Sequence, residues 1–158
     1  KTRFEEIIND PAIEQPLFDK AKLQLARLNF ENGEFKKAND LYETLRSFQI
    51  REKGRVLLEK SWAKFYIGEY AEALGTLYSL NSPFFFSSIT PGRYILEMLI
   101  FKQLCHYDAV NRTALRYKKR FGRTIKTIRD RKPLNSDPIL FNMSDLPFDN
   151  FVMIFSPL

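Results

Sequence analysis

Cys105, His106 and Asp108 stand almost side by side in "QLCHYDAV", where a thiol, an imidazole and a carboxylate come together. In facing geometry, such a set would supply a nucleophile, a base and an acid that orients the base. Neighbours along a helix project in different directions, so this trio reads as a turn between helices rather than a catalytic centre. The chain has one Cys and one His, which leaves no disulfide framework or Cys/His zinc site to assemble. No phosphate loop, dinucleotide fingerprint or metal-ligand spacing is present, so we expect no enzyme activity, cofactor, metal or small-molecule substrate. Glu5, Glu6 and Asp10 read as solvated charge on an N-terminal helical stretch. "FGR", Phe121 to Arg123, reads as a helix end rather than a phosphate cradle.

The second chemical signal is charge. The chain of 158 residues has a formal net charge of +6, but the excess is local. Between Arg116 and Pro133 lie nine Lys and Arg residues and one acid, Asp130, while the rest of the chain is slightly acidic. Arg116, Lys119, Arg120 and Arg123 fall at helical spacing on one face, with Tyr117 and Phe121 on another. A stripe of this kind can bind nucleic acid or an anionic membrane surface, and segment 116–132 is the alternative functional element on that ground. Base-reading side chains are not evident on it, so an acidic protein surface is the expected partner and nucleic acid is not.

These residues need elements to position them, and the apolar pattern supplies helices. Hydrophobic residues make up 44% of the chain and aromatic ones 15%, a globular composition. No apolar run is long enough to span a membrane. Phe35, Ala38, Leu41, Tyr42, Leu45 and Phe48 recur at helical spacing; so do Tyr70, Ala73, Leu74, Leu77 and Leu80, and then Tyr107, Val110, Ala114, Tyr117 and Phe121. Each set follows another helical stretch, about 17–32, 54–67 and 91–105, the last opened by Thr90 as cap and Pro91 at the first helical position. Gly33 and Gly68 punctuate the first two pairs, where a positive φ ends a helix.

"ENGEFKKA", Glu31 to Ala38, returns 35 residues later as "YIGEYAEA", Tyr66 to Ala73. A helix–turn–helix unit with a period near 34 residues resembles the tetratricopeptide repeat. The resemblance covers roughly Leu17 to Phe121. Leu25, Ala26, Gly33, Phe35, Ala38, Tyr42 and Leu45 carry it in the first unit, and Gly68, Tyr70, Ala73, Leu77 and Leu80 in the second. The departures are Asn29 and Lys64 where bulky residues are usual, and Lys60 and Ser61 where leucine-like and small ones are. In the third unit Cys105 or Leu104 replaces the glycine, with Tyr107 and Ala109 offering registers that differ by one residue.

The resemblance implies an all-α fold in which antiparallel helix–turn–helix repeats stack as a short right-handed superhelix. The expected domain runs from residue 1 to 133, with units at about 17–50, 54–81 and 91–122 and a basic helix at 123–132. An aromatic, acidic, irregular tail fills 134–158, in which "NFVMIF", Asn150 to Phe155, reads as a short strand. In the loop "NSPFFFSSIT" the rings of Phe84, Phe85 and Phe86 are expected to tuck beneath the chain, an exposed contact patch being the alternative.

Such repeats line a concave face with their first helices. That face is implied to hold Leu23, Arg27, Phe30 and Glu31, then Arg55, Leu58, Trp62, Phe65 and Tyr66, then Tyr94, Met98, Phe101 and Lys102. Rigid rings give large contact area at low entropic cost and Arg residues fix carboxylates. The expectation is a non-catalytic scaffold or adaptor that binds partner polypeptides, subunits of a larger assembly, through an aromatic groove. Phrases such as "YILEMLIFKQLCHYDAV" resemble bacterial cell-envelope proteins of this repeat family, which leans the expected compartment to the periplasm over the cytoplasm. The opening "KTRFEEIIND" lacks a methionine and reads as a fragment or a processed chain.

Overall fold

The computed structural model describes Phe4, Glu6, Ile8 and residues 14–45, 50–85, 90–133 and 136–140. Expectations for Glu5, Asp10, Phe48, Phe86 and Asn150 to Phe155 lie outside the described residues. Contacts divide the chain into two compact units, Lys1–Ser88 and Ile89–Leu158. Among the described residues every regular element is helical.

A chain that ends one helix and starts an antiparallel one must cover the last carbonyls of the first helix while reversing direction. Three turns in this protein do so with one geometry. α1 (Gln15–Glu31) is joined to α2 (Phe35–Glu43) through Gly33 at φ 76°. The Glu34 N–H donates back to the Asn29 carbonyl at 2.8 Å and the Gly33 N–H to the Phe30 carbonyl at 3.0 Å. α3 (Ile50–Tyr66) and α4 (Tyr70–Ser79) repeat this at Gly68, φ 84°, with Glu69 to Lys64 at 2.9 Å and Gly68 to Phe65 at 3.1 Å. This is the Schellman arrangement, and it recurs with the 35-residue offset of the sequence.

The third turn joins α5 (Gly92–Gln103) to α6 (Tyr107–Arg129) and keeps the geometry without a glycine. Cys105 takes φ 58°, His106 donates to Phe101 at 2.8 Å and Cys105 to Lys102 at 3.1 Å. The turn therefore aligns Cys105, not Leu104, with the glycines, and Tyr107 with Phe35 and Tyr70. The packed face follows the other register. On α6 Ala109 and Thr113 are buried while Tyr107 and Ala114 are exposed and Val110 and Tyr117 are half-buried, so the expected core face is displaced by one residue. Lys102 stands where Phe30 and Phe65 back the equivalent rings, which leaves Tyr107 without that support.

α6 continues to Arg129, so the expected separate basic helix is its C-terminal part and "FGR" is helix interior. α6 closes with the same cap, Arg131 at φ 51° and Lys132 donating to Thr127 at 3.0 Å, before Pro133. α3 begins at Ile50, ahead of the expected residue 54, and at α5 Pro91 occupies the N-cap position, with no side chain capping. Phe84, in the 3₁₀ turn Pro83–Phe85, is 72% exposed rather than tucked, and Phe85 is half-buried.

In the first unit α2 packs on both α1 and α3, and α3 on α4. The core joins Leu23 and Ala26 of α1, Ala38 and Tyr42 of α2, and Val56 and Ala63 of α3. Ala26, Ala38 and Ala63 are fully buried, and their small size lets three helix axes approach closely. Leu23, expected on an open face, is part of this core. In the second unit α5 packs on α6.

A left-handed residue with a Cβ is strained by roughly 1 kcal/mol, whereas a glycine inside a helix gives up about as much relative to alanine. Gly33→Ala and Gly68→Ala are thus expected to destabilise by about 1 kcal/mol. Gly75→Ala, whose added Cβ meets nothing within 4 Å, should stabilise by about 0.5–1 kcal/mol, and Cys105→Gly should not destabilise. Denaturant midpoints of the four variants check these signs.

Candidate functional site

One carboxylate organises the middle of the first unit. Glu59 of α3 accepts two hydrogen bonds from Arg27 of α1, from Nε at 3.0 Å and from an Nη nitrogen at 2.8 Å. It also accepts from Arg55 Nε at 3.1 Å and from the Tyr42 hydroxyl of α2 at 3.2 Å. The Glu59 side chain is 12% exposed, so these bonds replace water almost completely. The two-pronged arginine geometry fixes direction as well as charge.

Burial disfavours the charge on Arg27, but its bonds to Glu59 outweigh that and hold its pKa above the ordinary arginine value. Burial, followed by the nearby Glu59 charge, pushes the Tyr42 phenol far above the usual tyrosine range. Arg27 and Arg55, both expected on the partner groove, are thus committed to a fold-building carboxylate. Glu59 itself carried no signal in the sequence beyond its i, i+4 spacing from Arg55.

A second bridge explains one departure from the repeat pattern. Lys64, where a bulky residue is usual, is buried and reaches Glu43 at 3.1 Å and Glu69 at 3.4 Å, while Lys60 reaches Glu43 at 2.6 Å. Burial works against both charges, yet hydrogen bonds to Glu43 and Glu69 hold Lys64 above its ordinary pKa, and those from Lys60 and Lys64 hold Glu43 below its own. The linkage thus favours the fold between the two ranges, weakening as pH falls through the carboxylate range or rises through that of lysine. Asn29, which departs from the pattern at the equivalent position of the first unit, is buried with its Oδ1 unpaired, as is that of Asn39.

The expected groove rings of the first unit lie together, at the turn end of its two helix pairs. Phe35 stacks on Tyr66 at 4.4 Å, and Phe30 meets both edge-on at 5.1 and 5.6 Å. Phe65 contacts Tyr66 at 5.5 Å, Tyr70 at 5.7 Å and Trp62 at 6.0 Å, and Trp62 lies over Tyr66 at 6.1 Å. Six rings from four helices form one sheet of contacts, with Tyr66 39% exposed and the other five half-buried. Phe35 and Tyr70, which the spacing assigns to the helix seam, are members of it. Leu58 is half-buried on the same helix as Trp62.

The second unit treats its expected groove residues differently. Tyr94 is buried against Tyr117 and Phe121 at 5.8 and 5.9 Å, while Met98 and Phe101 are half-buried. In the expected basic patch, Arg116 is engaged by the buried Glu97 at 2.6 Å and by Thr113 at 2.8 Å. Arg123 approaches Asp137 at 4.0 Å, and Lys119 and Arg120 are exposed, the latter near the Phe121 ring at 5.8 Å. Asp137 is itself buried, accepting from Thr124 at 3.1 Å and from the Ile139 N–H at 2.9 Å.

Cys105, His106 and Asp108 are all exposed around their turn. Among the described residues no group of three or more metal-ligating side chains forms, and no helix is long and apolar enough to cross a membrane. Comparison with protein-family models, curated proteins and solved structures found no match.

Removing one member of a buried charge network strands the others. Glu59→Ala is expected to cost about 3–5 kcal/mol in a denaturant titration. Because the Tyr42 pKa is raised by folding, stability is full below the ordinary tyrosine value of about 10 and falls as pH rises beyond it. A spectrophotometric titration should show a late phenol step coinciding with loss of helical signal, and Tyr42→Phe should lack that step.

Proposed function

We propose that the chain is a non-catalytic scaffold of the tetratricopeptide-repeat type. It holds a partner polypeptide against the half-exposed rings Phe30, Trp62, Phe65 and Tyr66. The carrying observation is the ring cluster itself: six aromatic side chains in mutual contact, set on four helix ends and left partly open. Ring pairs of this kind contribute about 0.5–1.5 kcal/mol beyond burial, so the surface is pre-ordered and little entropy is lost on binding. The turn repeated at residues 33 and 68 and the shared packing of α1 to α4 support the stacked-repeat reading, whose superhelical form rests on the family resemblance.

Leu58 extends the reading along its helix, while Tyr94 acts as core support in the second unit. The competing reading, a nucleic-acid or anionic-membrane module at residues 116–132, loses Arg116 to Glu97. Partners expected on this account are protein subunits of a larger assembly, and the lean to a bacterial envelope setting rests on the family resemblance alone.

Trp62 is the single tryptophan, so its emission reports on this surface. A displayed library of extended peptides should yield ligands that shift Trp62 emission and persist in 300 mM salt. Tyr66→Ala should weaken them at least tenfold, and Lys119→Gln with Arg120→Gln should not. Ligands that respond only to the lysine and arginine changes would overturn the reading.

A further inference from the structure

Among the described residues, α6 leaves much of one face open. Tyr107, Val110, Ala114, Tyr117, Ile125 and Ile128 recur at helical spacing along one stripe, interrupted by Phe121, which is buried. Tyr107 is 62%, Ile125 44% and Ile128 52% exposed. Three of the ten exposed large hydrophobic residues among those described, Tyr107, Ile125 and Ile128, lie on this stripe. In the first unit α2 packs against the helix α3, with Tyr42 bonded to Glu59. The stripe runs over roughly 30 Å at 1.5 Å per residue, long enough for a helix to lie along it.

Charge decides the chemistry of that helix. α6 carries eight Lys and Arg residues and one acid, Asp108. Lys118 and Arg129 are exposed and sit one position past Tyr117 and Ile128, which places them along the border of the stripe. Apolar residues bordered by cations match a helix with an apolar seam and acidic flanks. Bare polyanions would use the cations and leave the isoleucines wet.

We propose that this edge of α6 docks an acidic amphipathic helix of a partner protein. The inference rests on the scaffold reading for its class of partner, but it uses a surface separate from the ring cluster. The test uses the full chain and a synthetic 22-residue helical peptide with leucines at i, i+3, i+4 and i+7 and glutamates flanking them. Binding is followed by anisotropy, with the lysine-flanked version of the peptide and a DNA duplex as comparisons.

The glutamate peptide should bind at least tenfold tighter than the lysine version. Ile125→Ser with Ile128→Ser should weaken it at least tenfold without moving the melting temperature, and Lys118→Gln with Arg129→Gln should weaken it and flatten its salt dependence. Trp62→Ala and Tyr66→Ala should leave it unchanged, so failure of the ring-cluster reading is read separately. The proposal is overturned if 100 μM chain gives no binding, or if the serine changes have no effect. It is also overturned if DNA binds tighter than the glutamate peptide. A fall of several degrees in melting temperature with the serine changes would show that the chain covers this face itself, and would overturn it as well.

Discussion

The first unit depends on the desolvated carboxylate of Glu59. It is the point at which α1, α2 and α3 are tied by hydrogen bonds rather than by apolar contact alone: Arg27, Tyr42 and Arg55 all end on it. Apolar packing among Ala26, Ala38 and Ala63 sets how close the helices come, but small smooth residues tolerate sliding. A two-pronged guanidinium with a phenol on the same carboxylate does not tolerate it. The network therefore selects one register between the first helix pair and the second, and that register brings Phe30 and Phe35 onto Tyr66.

The turns act one level below. Each satisfies the last carbonyls of its first helix through one left-handed residue, which makes the reversal compact and places the first residue of the next helix beside the last turn of the previous one. Rings near these junctions then meet by construction, as Phe30 does Phe35 and Phe65 does Tyr70. Where Lys102 interrupts that pattern, the third pair keeps its backbone and leaves Tyr107 open. Backbone geometry and ring packing are thus separable.

Much of this was legible in the sequence, because helical periodicity and a glycine 35 residues from another are local signals. The six helices of the three pairs, the two glycine turns and the buried residues Ala38 and Tyr42 of α2 and Ala73 and Leu77 of α4 follow from spacing, although α2 ends at Glu43, ahead of the expected Leu45. What did not follow was anything decided by a partner distant in the chain. Arg27 and Arg55 look like ligand-binding cations until Glu59 is seen between them, and Arg116 looks free until Glu97 reaches it. Tyr94 reads as a surface ring until Tyr117 and Phe121 close over it. On α6, the turn and the buried face follow registers one residue apart. Periodicity alone does not separate them, because Ala109 and Thr113 are small enough to pack while the larger apolar residues lie on the neighbouring stripe.

Native-state hydrogen exchange tests the central role of Glu59 most directly. If its network locks the two helix pairs together, amides in the centres of α1, α2 and α3 will open with one shared free energy, and Glu59→Gln will split them, with α1 and α2 exchanging well before α3. If α1 and α2 already open independently of α3 in the unaltered chain, or if Glu59→Gln lowers all three equally, the account of a register fixed by this carboxylate is contradicted.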